Sequence, residues 1–175
     1  GARPIFADVK KNTLTLDPID VSRRITSRTK AIIPVDYAGH PADLSIFRSL
    51  AERHHLVVIE DACHALGAVS QKRQVGQISH MTVFSFHPVK HITTGEGGAV
   101  TTDDPYFFEQ LKLFRNHGIM GSAKERQEKG RWFYEMVELG FNYRLSDISC
   151  ALGISQMARL EANLERRRQI ATRYM

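Results

Sequence analysis

Apolar and polar positions along the chain follow two periods, one typical of strands and one of helices. Five short apolar runs are predicted as strands, at residues 5–9, 31–35, 56–60, 80–86 and 98–102. Helices are predicted at 20–25, 43–54 and 105–114, the longest of these from the helical spacing of Leu44, Phe47 and Leu50. Because strands alternate with helices, the fold class is predicted to be α/β, with a layered sheet.

From Ser146 to the end, the pattern is helical, and one apolar stripe runs along it through Ile148, Leu152, Leu160 and Leu164. The stripe has two interpretations, burial in the core of the same chain or contact with another subunit. The charged segment 124–129 is predicted as an exposed loop.

The strand predicted at 56–60 runs into two acids, Glu60 and Asp61. In open α/β sheets, ligands bind outside the carboxyl ends of the strands, which is where Asp61 is expected. A carboxylate there has a functional interpretation as a ligand contact. It also has a structural one as the N-cap of a following helix, and the pattern alone leaves both open.

The strand predicted at 80–86 leads through Pro88 to Lys90, and a glycine-rich turn at 95–98 follows. Lysine amines form Schiff bases with carbonyl compounds, so a lysine after a buried strand is a candidate for covalent catalysis. The alternative is an ordinary surface lysine on a turn. The glycines indicate close approach of the backbone to a site rather than a dinucleotide fingerprint, since Gly-x-Gly-x-x-Gly is absent.

Composition narrows the classes of function. The chain has 175 residues and a net charge of +5, but its basic residues form no aromatic-interleaved patch, so no nucleic-acid partner is expected. No run approaches the ~18 apolar residues of a membrane span, and no metal motif occurs, so neither a membrane partner nor a metal site is expected. Two cysteines, Cys63 and Cys150, favour a reduced, cytoplasmic setting.

Five segments in this order and spacing closely resemble the DegT/DnrJ/StrS family of fold-type-I aminotransferases, which depend on pyridoxal 5′-phosphate (PLP). They are Ile59–Ala68, Ser85–Lys90, Gly95–Val100, Arg115–Gly118 and Leu139–Asp147. The resemblance implies a three-layer, mostly parallel sheet. It also implies that residues 1–175 are an internal part of the PLP-binding large domain, lacking its N-terminal part and the C-terminal small domain.

The resemblance also assigns roles within the site. It implies that Lys90 carries PLP and moves protons, and that Asp61 pairs with the pyridine nitrogen of the cofactor. It places His64 beside the cofactor ring and Ser85 at the phosphate. Asn142 is expected to reach the phosphate of the neighbouring subunit, so the family pattern implies a homodimer.

The reaction implied is transfer of an amino group from an amino-acid donor, L-glutamate, to a 4-keto sugar linked to a nucleotide. The sugar closest to the pattern is UDP-4-keto-6-deoxy-N-acetylhexosamine. Two alternatives stay open. One is a PLP-dependent sugar dehydratase relative, in which position 90 is not lysine, and the other is a non-catalytic or inactive PLP-fold binding module.

Overall fold

The computed structural model describes residues 1–121, 127–128, 130 and 134–175. Most of the segment predicted as a charged loop, 124–129, lies outside the described residues. The chain forms two compact units, Gly1–Thr102 with Asp147–Met175, and Asp103–Ser146. Our prediction that the whole chain is an internal part of one large domain stays a prediction.

The first unit is built on a four-stranded mixed sheet. Its strands are β1 (Ala31–Ile32), β2 (Val57–Asp61), β5 (Met81–Ser85) and β6 (Gly98–Thr101), in the spatial order β1-β2-β5-β6. The β1–β2 and β2–β5 pairs are parallel, and β6 is antiparallel to β5. The predicted α/β class with a mostly parallel sheet is therefore confirmed.

A small hairpin that the sequence did not predict lies between β2 and β5. Its strands, β3 (Val69–Ser70) and β4 (Arg73–Gln74), pair antiparallel. Gln71 and Lys72 at the turn both have positive φ, 51° and 64°. That geometry is typical of a two-residue hairpin turn. Neither residue is a glycine or an asparagine, the residue types that would have predicted this turn from the sequence.

Helices cover the sheet where the periodicity predicted them. Helix α1 spans Pro18–Arg24, a 3₁₀ turn spans Tyr37–Gly39, and α2 spans Leu44–His54. Phe47, Leu50 and Ala51 of α2 are buried and pack with Val58 of β2 in the main core cluster. The helix ends at His55, whose left-handed backbone (φ 54°) lets its N–H bond to the Ala51 carbonyl.

The strand predicted at residues 5–9 is wrong. Val9 makes one antiparallel bridge with Leu16, and Phe6 is 84% exposed. An apolar run becomes a strand only where another strand satisfies its backbone groups, and within the described residues none pairs along this run.

The chain ends in two helices rather than one. Helix α4 spans Asp147–Met157 and α5 spans Leu160–Tyr174. Of the predicted stripe, Leu164 is buried and packs over Gly67, whereas Ile148 is 85% exposed. The core interpretation therefore applies at Leu164 but not at Ile148.

Among the described residues, no helix has the length and apolarity needed to cross a membrane.

The second unit contains helix α3 (Pro105–Arg115), which Asp104 caps by accepting the Tyr106 N–H at 2.8 Å. Phe141 stacks on Tyr143 with 4.9 Å between ring centroids, and Phe114 meets Phe141 edge to face. Gly118 and Gly140 lie so close that a Cβ on Gly140 would be 2.1 Å from the Gly118 nitrogen. This packing fixes the segment that carries Asn142.

Candidate active site

Asp61 is the last residue of β2, and the backbone around it is held on two sides. Its N–H donates to the Pro34 carbonyl at 2.9 Å, and the next residue, Ala62, donates to the Val83 carbonyl at 2.9 Å. Strand alternation buries Glu60 on the face that holds Val58 and turns Asp61, half-buried, to the other face. Asp61 therefore stands at the carboxyl edge of the sheet, as predicted.

The structural alternative for Asp61, the N-cap of a following helix, is wrong. The chain after β2 forms turns, and the Asp61 carboxylate accepts the Cys63 N–H through Oδ1 at 3.1 Å. That bond closes an Asx turn across residues 61–63. The Cys63 thiol also interacts with this carboxylate, so the side chain of Asp61 is tied to the turn that follows β2.

Lys90 lies in a loop between β5 and β6 whose ends are tied together by the backbone of Phe86. The Phe86 N–H donates to the Gly97 carbonyl at 2.8 Å, and the Phe86 carbonyl accepts the Thr94 N–H at 3.0 Å. The Thr93 hydroxyl donates to the same carbonyl at 3.1 Å. Ile92 is buried, so the loop is anchored by both hydrogen bonds and packing.

Glycine is required where β6 leaves this loop. A Cβ at Gly98 would lie 2.6 Å from the Phe84 carbonyl oxygen, on the strand to which β6 is paired. This oxygen is part of the paired backbone of β5, so it cannot shift far enough to remove the clash. Gly98 therefore sets the closeness of the two strands that bracket Lys90.

Asp61 and Lys90 both act on one thiol, that of Cys63. Burial, followed by the Asp61 carboxylate, raises the pKa of Cys63 to about 11, and the Lys90 ammonium opposes this shift. Both residues therefore influence the same thiol, although 29 positions separate them in the sequence. The thiol stays protonated at neutral pH and is not a nucleophile there.

Two further predicted residues lie in this unit. His64 is exposed in the turn after β2, and Ser85 is half-buried at the end of β5, where its hydroxyl accepts the His87 N–H at 3.3 Å. Their predicted contacts with the cofactor stay predictions.

His91 is a residue that the sequence analysis missed. Its Nδ1 atom is buried without a hydrogen-bond partner in the described part of the chain. Burial, followed by the electrostatic influence of Arg167, His64 and Lys90, lowers its pKa. Arg167 and Lys90 therefore place positive charge near His91, which suits an anionic ligand. Its position directly after Lys90 was the signal available in the sequence.

Asn142 lies in the second unit, exposed, in a backbone bridge with Asn116. Arg144 donates to the Asn116 side chain at 2.7 Å, which orders the same segment. The predicted role of Asn142 at a phosphate stays a prediction. Across the described residues, no three His, Cys, Asp or Glu side chains gather into a possible metal site.

The fold is that of the α/β aminotransferases, with which the structure superposes closely. The sequence matches the DegT/DnrJ/EryC1/StrS aminotransferase family model over residues 1–175, and the chain belongs to this family. The resemblance found in the motifs is thereby confirmed.

Three relatives illustrate the similarity. The spore coat polysaccharide biosynthesis protein SpsC of Bacillus subtilis is 39% identical over 175 residues, covering 99% of this chain and 45% of SpsC. PseC of Helicobacter pylori, an aminotransferase involved in the biosynthesis of pseudoaminic acid, is 39% identical with a TM-score of 0.82. That match covers 91% of this chain and 41% of PseC.

The third relative is Spr1654 of Streptococcus pneumoniae in its PMP form, which is 30% identical with a TM-score of 0.89. The match covers 99% of this chain and 49% of Spr1654, which was also solved in a PLP form. The chain therefore spans about half the length of the relatives it matches.

Replacing Gly98 by alanine is expected to loosen the strand pair that brackets Lys90. The new methyl group would collide with the Phe84 carbonyl, and overpacking of this kind costs about 1–3 kcal/mol of unfolding free energy. Chemical denaturation would measure the loss. As a control on the same strand, Val100→Ala removes a side chain that is 43% exposed and should cost less. Equal stability of Gly98→Ala and wild type would contradict the steric argument.

Proposed function

We propose that the protein containing this chain is a PLP-dependent sugar aminotransferase. In this proposal it moves an amino group from an amino-acid donor, L-glutamate, to a nucleotide-linked 4-keto sugar. The observation that carries the proposal is the placement of Asp61 at the carboxyl end of β2 and of Lys90 in the loop that follows β5, the neighbouring parallel strand. Membership of the aminotransferase family supports the reaction class.

The residues present fit PLP. A pyridine nitrogen is held protonated by a carboxylate, and Asp61 offers one, half-buried, at the carboxyl end of β2. An aldehyde needs an amine, and Lys90 makes no salt bridge within the described part of the chain. A phosphate needs donors and positive charge, which the Ser85 hydroxyl and the cationic surroundings of Lys90 and His91 supply.

When bound, PLP supplies an aldehyde that takes up the amino group and a ring that withdraws electrons from the carbon losing its proton. Lys90 would hold the cofactor and then use Nζ as a general base and acid, moving the proton between the donor's Cα and the cofactor's C4′. Asp61 would keep the ring nitrogen protonated. The hydrogen bond from the Cys63 N–H fixes the rotamer of Asp61 for this task.

The substrate proposal rests on resemblance. The sequence around Lys90 and Asn142 resembles the transaminase that makes UDP-4-amino-4,6-dideoxy-N-acetyl-β-L-altrosamine. PseC, which is similar to this chain, is described as acting in the biosynthesis of pseudoaminic acid. We therefore propose UDP-4-keto-6-deoxy-N-acetylhexosamine as the acceptor.

We further propose a cytoplasmic homodimer. Cys63 and Cys150 are unpaired, which fits a reducing compartment. Helix α4 exposes apolar side chains on more than one face, Ile148 on one side and Ile154 and Met157 on the other, and such exposed apolar groups suit contact with a second subunit. In this assembly, Asn142 would complete the phosphate site of the partner.

The two alternatives predict different outcomes. A dehydratase relative would not need an amine at position 90, so the presence of Lys90 beside Asp61 favours the aminotransferase. A non-catalytic binding module would leave the protein unable to take up an amino group, whatever its affinity for PLP.

Lys90 is expected to be the residue that binds the cofactor covalently. Borohydride reduction of the whole protein with PLP, followed by peptide mapping, should place the label on Lys90. Lys90→Ala should bind PLP without a covalent bond and lose amino transfer. Lys30→Ala, at an exposed lysine, is the matched control and should retain both. A label on any other lysine would contradict the assignment.

Asp61→Asn is expected to leave cofactor binding possible but to slow amino transfer severely. Loss of a charged contact to the ring nitrogen should cost on the order of 2–4 kcal/mol, which corresponds to about two to three orders of magnitude in turnover. Steady-state kinetics with the whole protein would measure it. Near-normal turnover in the variant would exclude the proposed role of Asp61.

Mixing two inactive variants should restore part of the activity if active sites are shared between subunits. A heterodimer of Lys90→Ala and Asn142→Ala places both defects in one site and leaves the other intact. The control is a mixture of two separately tagged Lys90→Ala preparations, which should stay inactive. An active protein that elutes as a monomer would defeat the shared-site arrangement.

A further inference from the structure

Two carboxyl groups that the proposed mechanism does not use lie side by side behind Asp61. Asp36 and Glu60 are both 0% exposed. Glu60 is the residue before Asp61 on β2, and Asp36 is on the neighbouring segment, where Val35 bridges to Asp61. A buried charge must be paired or neutralised, so two adjacent buried acids need an explanation.

In each of the two carboxyl groups, one oxygen accepts hydrogen bonds and the other has no partner among the described residues. Asp36 Oδ1 accepts the Ala42 N–H at 2.9 Å. Glu60 Oε2 accepts the hydroxyls of Ser79 and Thr82, the latter at 2.7 Å. Asp36 Oδ2 and Glu60 Oε1 are buried without a partner in the described residues. Both orphaned atoms are acceptors when ionised, and one proton between them would satisfy both.

The electrostatics of the pair also favour one proton held between Asp36 and Glu60. Burial, and after it the charge and hydrogen bond of Glu60, raise the pKa of Asp36 to about 7; the Asp61 charge adds to this, and the Ala42 N–H opposes it. The nearby imidazole, His80, uses Nδ1 to accept the Val58 N–H at 2.9 Å. Glu60 Oε2 already accepts two hydroxyls, and Asp36 is the group whose pKa is raised, so Asp36 is the member that carries the proton.

We propose that Asp36 and Glu60 share one proton between Oδ2 and Oε1, and that this pair is a positioning unit for Asp61. The second part rests on the function proposed for Asp61. The proton stays within the pair and is not consumed. The backbone makes the link, since the Asp36 N–H donates to the Asp61 carbonyl at 3.0 Å and the Asp61 N–H donates to Pro34.

Loss of the shared proton would set two anions against each other directly beneath the end of β2. The segment 34–36 would be driven away from β2, and Asp61 would lose the backbone contact that sets its height above the sheet. A second negative charge would also stand behind the Asp61 carboxylate.

The pair makes folding depend on pH in a defined direction. The folded protein keeps the Asp36 proton up to pH of about 7, whereas the unfolded chain releases it above the ordinary value of 3.8. Between these two values the native state binds more protons, so its stability falls as pH rises. The folding equilibrium constant loses about tenfold per pH unit from this source and levels off above pH 7.

The test uses the whole protein with PLP bound and the variant Asp36→Asn. Asparagine is neutral, its amide N–H can donate to Glu60 Oε1, and its oxygen can accept the Ala42 N–H. Infrared spectroscopy should show the carbonyl band of a buried protonated carboxyl in wild type. The band should be absent from Asp36→Asn and unchanged in Asp103→Asn, a control at an exposed acid. A band that survives in Asp36→Asn, or is missing from wild type, would overturn the shared proton.

Denaturant unfolding between pH 4 and 7 supplies a second readout that does not require activity. Asp36→Asn should remove about tenfold per pH unit from the fall in the folding constant, and Asp103→Asn should keep the wild-type slope. Asp36→Leu, which cannot donate to Glu60, should be less stable than Asp36→Asn at every pH. Parallel slopes in wild type and Asp36→Asn would overturn the proposal.

The positioning role is tested by the pH dependence of kcat. Wild type should show a step near pH 7 that is absent from Asp36→Asn, because the variant keeps a neutral partner for Glu60. An unchanged step would overturn the positioning of Asp61. Failure of the proposed function would appear elsewhere, as normal turnover of Asp61→Asn, while the infrared band and the unfolding slope would be unaffected.

Discussion

The parallel pairing of β2 with β5 is the constraint on which the candidate site depends. Ile59 to Asp61 run in register with Met81 to Val83, and the Ala62 N–H extends the pairing to the Val83 carbonyl. Because both strands point the same way, their carboxyl ends reach the same edge, with an acid on one and the lysine loop on the other. An antiparallel pair would have sent these two groups to opposite edges.

Strand alternation gives β2 two acids with opposite environments. Glu60 faces the buried side among hydroxyl groups, and Asp61, half-buried, faces the other side. The alternation that turns Asp61 toward the proposed site therefore buries its neighbour. The fold accommodates the buried acid with Asp36, Ser79 and Thr82 rather than replacing it by an apolar residue, which ties the chemistry of the site to its support.

Much of the fold could be predicted from the sequence, since strong local periods, such as that of α2, are set by residues close in the chain. The position of Asp61 followed from the length of its strand. Residues 5–9 failed because they lacked a strand to pair with. The β3–β4 hairpin was missed because Gln71 and Lys72 are not typical turn residues, and the break of the last helix near Arg159 carries no glycine or proline signal. The contact of Asp36 with Glu60 joins segments 24 positions apart, and no local pattern encodes it.

The Lys90 loop is anchored in a way that does not depend on the side chains next to the lysine. Its ends are closed mainly through the main chain of Phe86, while His87, Pro88 and Val89 are exposed. These three side chains could therefore be exchanged without moving the amine of Lys90. The loop keeps the position of the lysine independent of the surface that lies beside it.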